Sequence, residues 1–154
     1  MLKDLLAMSF LIGLTTCATH EYTMHYYVEK PLPTHRQFFT ALAEFESGTA
    51  DNAIGDYGAS IGRYQIGGAY HADALEFSPS IGGVYQDVTR PDYAEKIITA
   101  YMLRYLGADV WNNLTDANIQ LIARTHNGGP RGASKQSTKE FGVAILNLIK
   151  KENE

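Results

Sequence analysis

The chain has 154 residues, 45% of them hydrophobic and 19% charged, with a formal net charge of −4. These values suit one globular domain with its own core and exclude a disordered or low-complexity chain. The charges form no basic stripe, so nucleic acid is not an expected partner. Only one cysteine is present and the five histidines are scattered, so neither an intrachain disulfide nor a metal or cofactor site is expected within these residues.

Residues 1–17 stand apart. Lys3 precedes an apolar run from Leu5 to Leu14, too short to span a membrane comfortably and typical of a signal-peptide core. The sole cysteine, Cys17, follows in Leu14-Thr15-Thr16-Cys17. This resembles the bacterial lipoprotein signal, in which the cysteine is acylated, although that pattern prefers Gly, Ala or Ser where Thr16 stands. The expectation is an exported protein, secreted or held in the cell envelope, with Cys17 the candidate for lipidation and membrane anchoring. Residues 18–33 read as a tether of mixed polarity, with Tyr26, Tyr27 and Val28 as a short strand and Pro31-Leu32-Pro33 disfavouring helix.

The folded domain, 34–154, opens at Thr34. Thr34-x-x-Gln37 has the form of a capping box. The helix that follows runs to about Glu46 and stops at Ser47-Gly48, with Phe38, Leu42 and Phe45 as its buried stripe and Phe39 and Ala41 widening it. From Thr49 to Ile66 the glycines, Asn52 and Asp56 break any helical period and suit turns or a small β-hairpin. Ala69 to Phe77 reads as a short helix and Ser78 to Gly83 as a loop. Thr89 is placed as the cap of a longer helix with Pro91 in its first turn, a buried face of Ala94, Ile97, Ile98, Tyr101, Met102 and Tyr105, and an end at Gly107. A further helix starts at Thr115 and stops at Asn127-Gly128-Gly129-Pro130; the last covers about Thr138 to Lys150, with Phe141, Ile145, Leu148 and Ile149 inward. A helical body with one small polar β region is an α+β arrangement with a cleft between its parts.

Two carboxylates face that cleft from different surroundings. Glu46 lies four residues after Leu42 and seven after Phe39, at the edge of the apolar face; Glu44 lies over Thr40 and Gln37 on the wet side. Partial burial disfavours a charged carboxylate, which makes Glu46 the candidate proton donor. Asp56 sits in a polar, glycine-rich stretch where it stays ionised. One protonated and one ionised carboxyl group are what glycosidic bond cleavage requires.

The ordered series Glu46-Ser47-Gly48, Asp56-x-Gly58, Gly62-x-x-Gln65-Ile66, Ala69-Tyr70-x-x-Asp73, Tyr101-Met102-x-Arg104-Tyr105 and Ala123-Arg124-x-His126-Asn127-Gly128-Gly129-Pro130-Arg131-Gly132, followed by Ser137-Thr138, resembles the invertebrate-type lysozymes (the destabilase family), within the wider lysozyme-like superfamily. The resemblance implies a mainly helical lysozyme-like fold and a muramidase that cleaves the β-1,4 linkage between N-acetylmuramic acid and N-acetylglucosamine in peptidoglycan. Glu46 would be the acid and Asp56 the nucleophile or stabiliser, while Tyr70, Asp73, Tyr101, His126, Asn127 and Gly128 would line the saccharide groove. Bland readings stand beside three of these: Tyr101 as core, Asn127 to Pro130 as a helix stop, and His126 as a cation favoured by the helix dipole. Two other functions stay open, a lytic transglycosylase using Glu46 alone and a non-catalytic module that binds cell wall or chitin.

The chain departs from the family pattern in three ways. Where that pattern has cysteine, this chain has Ala43, Thr49, Ile61, Ala74 and Ala133, as expected if packing replaces covalent staples. The connection from Glu46 to Asp56 is shorter. The net negative charge contrasts with strongly basic lysozymes that hold anionic walls by charge.

Overall fold

The computed structural model describes residues 32–152. The signal segment with Cys17, nearly all of the tether and the Tyr26–Val28 strand lie outside the described residues. Helix α1 spans His35–Ser47 and begins with the capping box expected: Thr34 Oγ1 accepts from the Gln37 backbone N–H at 3.3 Å, and Gln37 Oε1 accepts from the Thr34 N–H at 2.9 Å. It ends at Gly48, whose φ of 58° lets the Gly48 and Thr49 N–H groups turn back onto the Glu44 and Ala43 carbonyls.

The β region is a three-stranded antiparallel sheet of two-residue strands, β1 (Ile54–Gly55), β2 (Ser60–Ile61) and β3 (Ile66–Gly67), in the order β1-β2-β3. Ile54 pairs with Ile61 and Ile61 with Ile66. One turn of 3₁₀ helix, Asp56–Gly58, joins the first two strands. The sheet is more than the hairpin read from the sequence, because Gly67 brings a third strand back beside Ser60.

Helix α2 (Gly68–Phe77) leaves the sheet directly, and short 3₁₀ turns lead to α3 (Pro91–Trp111). Thr89 does not cap α3. Its hydroxyl donates to the Gln86 carbonyl at 2.9 Å and closes the preceding turn, and Arg90 takes the N-cap position without a side-chain cap. Pro91 at the first helical position removes one N–H that would otherwise need a partner. Gly107 does not end the helix either: at φ 79°, ψ 167° it kinks the chain, which then makes another turn to Trp111. That turn carries Trp111 into the core against Phe38 and Phe39, and burial of the indole outweighs the interrupted backbone.

Helices α4 (Asp116–Gly128) and α5 (Lys139–Glu152) complete the body, with Thr115 Oγ1 accepting from the Asn118 N–H as the cap of α4. Phe38, Leu42, Ile97, Ile98, Met102, Ile119, Ile122, Ile145 and Ile149 form the fully buried centre. Three expected core positions shift. Leu148 and Tyr105 are only partly buried, and Leu146 is buried in place of Leu148. Phe45 has the right helical phase but stands at the end of α1, where it packs edge-on against the Phe141 ring (5.0 Å, 79°) and stays 48% exposed. Of the positions that carry cysteine in the family pattern, Ala43 and Ala74 are buried in the core, Ile61 and Ala133 are half-buried and Thr49 is exposed. Packing thus takes the place of staples at some of these positions, not all. No helix among the described residues is long and apolar enough to cross a membrane.

Candidate active site

Glu46 occupies the last turn of α1. Ser47 beside it can donate to the Arg63 carbonyl at 3.0 Å and so ties the end of the helix to the turn between β2 and β3. The Glu46 side chain keeps 16% of its surface, and its Oε1 lies 3.7 Å from His126 Nε2. Burial, and after it the negative charge of Asp56, raises its pKa from 4.5 to about 7. The negative end of the α1 dipole acts in the same direction. Glu44, two residues earlier, is exposed.

His126 is a buried neutral imidazole and not the cation that a helix end would favour. Its Nε2 lies 3.0 Å from the Tyr64 carbonyl and its Nδ1 lies 3.3 Å from the Tyr70 hydroxyl. A carbonyl only accepts, so Nε2 carries the proton and Nδ1 accepts from Tyr70. Burial lowers the His126 pKa to about 4, against a smaller opposing effect of the Tyr64 carbonyl. The contact with Glu46 therefore has the spacing of an ion pair without being one. Between pH 4 and 7 both groups are uncharged, so His126 packs on Glu46 without drawing its proton away.

Asp56 is exposed in the 3₁₀ turn after β1, near enough for its charge to act on Glu46. It has φ 48°, and Tyr57 follows at φ 56°. The Ser60 hydroxyl reaches both Asp56 Oδ2 (3.2 Å) and Gln65 Oε1 (2.9 Å), and Gln65 Nε2 is held on the Gly62 carbonyl at 2.8 Å. With one proton to give, Ser60 serves Asp56 or Gln65 at a time. The arrangement depends on Gly55: a Cβ there would lie 1.9 Å from Gln65 Oε1 and 2.9 Å from Ser60 Oγ.

The remaining expected site residues divide. Tyr70 joins Glu46 through His126. Tyr101 is core, 3% exposed, and backs Tyr70 in a parallel stack with centroids 3.6 Å apart; burial pushes its pKa up to about 12. It thus lies behind Tyr70 and is closed to solvent, as the core reading has it. Asp73 lies at the far end of this aromatic row, accepting from the Tyr105 hydroxyl at 2.6 Å while Tyr105 packs on Tyr101. Asn127 is exposed next to His126; Gly128 is half-buried, and its carbonyl accepts from Lys135 Nζ at 2.6 Å. Ser60, Tyr64 and Ser47 were given no role by sequence reasoning. Gln65 was visible only as part of a motif, with nothing local to show that it faces Ser60. A cavity of about 570 Å³ between α1, α2 and α3 includes neither carboxylate in its lining. No three His, Cys, Asp or Glu side chains converge among the described residues.

A helical body, a small antiparallel sheet and two unlike carboxylates define a lysozyme-like α+β fold. Within that class the chain is similar, in sequence and in fold, to the invertebrate-type lysozymes. It is 33% identical over 88 residues to the lysozyme of Ostrea edulis, covering 57% of this chain and 59% of that protein. It is 35% identical over 85 residues to the lysozyme of Magallana gigas, covering 55% and 57%. The chain spans less than two thirds of the length of these curated relatives. Among solved structures, that of Aeromonas hydrophila PliI in complex with Meretrix lusoria lysozyme matches with a TM-score of 0.54 at 28% identity, over 75% of this chain and 88% of that one. The Tapes japonica lysozyme matches in fold with a TM-score of 0.55 at 24% identity, with the same coverages. No protein-family model matches the chain.

Proposed function

We propose that this protein is a lysozyme-type glycoside hydrolase whose substrate is peptidoglycan, cut at the β-1,4 linkage between N-acetylmuramic acid and N-acetylglucosamine. The observation that carries this reading is the unequal pair of carboxyl groups. Glu46 is held protonated up to about pH 7, and the exposed Asp56 contributes to that shift by its charge. Glu46 gives its proton to the glycosidic oxygen as the bond to the anomeric carbon breaks. The positive charge that develops on the sugar ring is met by Asp56, as nucleophile or as stabiliser, with Ser60 as its hydrogen-bond partner. Water then adds to the anomeric carbon and returns its proton to Glu46. His126 keeps the acid desolvated without competing for the proton, and Tyr70, braced by Tyr101, borders the site. Asn127 offers its amide to saccharide hydroxyl or acetamide groups, and Gly128 and Asp73 belong to the same groove.

A lytic transglycosylase is the second reading. It needs the acid alone, and closes the sugar on its own hydroxyl to an anhydro product with no water consumed. Asp56 and its support by Ser60 favour hydrolysis, as they also disfavour a module that only binds. Mass analysis of the fragments released from purified peptidoglycan decides among the three. Reducing ends that have gained water support the hydrolase, anhydro ends the transglycosylase, and intact glycan the binding module.

A further inference from the structure

Tyr57 combines two features that seldom go together. Its side chain is fully exposed and makes no hydrogen bond or ring contact among the described residues, yet its backbone is left-handed (φ 56°, ψ 31°), directly after a left-handed Asp56. L-residues disfavour that region, and a bulky one gains nothing there locally. Gly58, the next residue, already supplies a φ of 94°, so the tyrosine is not the residue that lets the chain turn. Ile54, on the other side of Asp56, is 75% exposed. Two large exposed side chains thus stand on either side of the exposed carboxylate along the chain, at the tip of a sheet whose Ser60 and Gln65 side chains are hydrogen-bonded to each other. Backbone strain kept without an internal gain points to a role outside the fold.

We propose that Tyr57, seconded by Ile54, is a saccharide-stacking platform that holds a pyranose unit of the glycan beside the unit reacting at Glu46 and Asp56. The apolar C–H face of an amino sugar fits a flat ring, and the ring can make that contact without a hydrogen-bonding partner. A glycan fits better than a protein partner because two side chains are far short of the twenty or more residues a stable protein interface uses on each side. Tyr57 is also the immediate chain neighbour of Asp56. The inference rests on the glycan-directed reading above, and its test separates the two.

The experiment uses the full chain with Glu46→Gln, so that the sugar is bound and not cut, and an N-acetylglucosamine hexamer as probe. Tyr57→Trp is the reporter, because the only other tryptophan, Trp111, is 4% exposed. Its emission should shift to the blue as the hexamer is added. By calorimetry Tyr57→Phe should bind like the parent and Tyr57→Gly roughly 3- to 10-fold more weakly. Tyr57→Gly should also melt at a higher temperature, since glycine relieves the left-handed strain. Equal binding by the parent and Tyr57→Gly overturns the platform and leaves the glycan reading standing. No binding by any of them, to the hexamer or to purified peptidoglycan, overturns both. A lower melting temperature of Tyr57→Gly, or a parent that self-associates through this face and stops doing so in the variant, also overturns the platform.

Discussion

Glu46 and Asp56 bear the same functional group at the ends of two regions built on opposite principles. The α1 end is regular: a capped helix, an apolar stripe and a left-handed glycine stop bring Glu46 to the core boundary in a conformation that costs the chain little. The sheet tip is irregular. Its strands are two residues long, Asp56, Tyr57 and Gln65 all have positive φ, and its side chains are exposed or bonded to one another. One region shifts a pKa by burial; the other leaves its carboxylate in water and spends structure on aiming it. The lesson is that a site of this kind divides its labour between a rigid apolar support and a strained polar tip.

The sharpest way to break this comparison is to remove the proton donor. Glu46→Gln should abolish turnover of peptidoglycan, with a loss of about 10²–10⁴-fold or more, while Glu44→Gln, on the exposed face of the same helix, keeps most of it. Comparable losses in two folded variants would mean that the donor has been assigned to the wrong residue.

Next in size is the packing of α1. Phe38 is wholly buried between Phe39 and Trp111, and Phe38→Ala should cost about 3–5 kcal/mol in urea unfolding. Phe45→Ala, at a position half open to solvent, should cost only about 1 kcal/mol. Equal costs would show that the helix end is packed more tightly than its exposure implies.

The third effect is a pH dependence with a definite sign. Glu46 has a folded pKa of about 7 against 4.5, so the folded state holds more protons across that window. The stability it allows is full below pH 4.5 and falls as pH rises to 7. Glu46→Gln removes this penalty: by thermal melting it should stabilise the protein by about 3 kcal/mol at pH 8 and by almost nothing at pH 4. His126 works the other way. With a folded pKa near 4 against 6.5, its contribution is present above pH 6.5 and lost as pH falls through 4, so the wild-type profile is flatter than that of either site alone. In the enzyme assay, kcat/KM should decline above about pH 7 as Glu46 ionises. A gain from Glu46→Gln that does not grow with pH would refute the burial argument.

The smallest expected effect is none at all. The sequence has one cysteine, Cys17, so reductant should leave both the melting temperature and the activity unchanged. A fall in either would reveal a covalent link between chains and weaken the case for stability by packing alone.

Much of this was legible in the residues. Thr34 and Gln37 announced the start of α1, Gly48 its end, and Thr115 the start of α4, because caps use side chains within one turn of the backbone groups they satisfy. The position of Glu46 beside the apolar face followed from helical phase. Phase failed at Phe45, since periodicity tells which side a residue faces and not how far the neighbouring helix extends to cover it. Thr89 misled by one position: the helix starts at Pro91, which puts Arg90 at the N-cap and leaves the Thr89 hydroxyl donating back to the Gln86 carbonyl.

What the sequence determined by itself is therefore local: the helices, most of their ends, the order of motifs, and the identity of the two carboxylates with the environment each should have. The tertiary structure alone decided that His126 is neutral and inward, that Tyr101 braces Tyr70 from beneath, and that the Ser60 hydroxyl stands between Asp56 and Gln65. It also left the ring of Tyr57 free in solvent. The reason is distance along the chain. The imidazole takes its tautomer from the carbonyl of Tyr64, 62 residues away, and accepts from the hydroxyl of Tyr70, 56 residues away. A pKa depends on the whole set of groups that exclude water around it, and no periodicity within α1 or α4 records which groups those are.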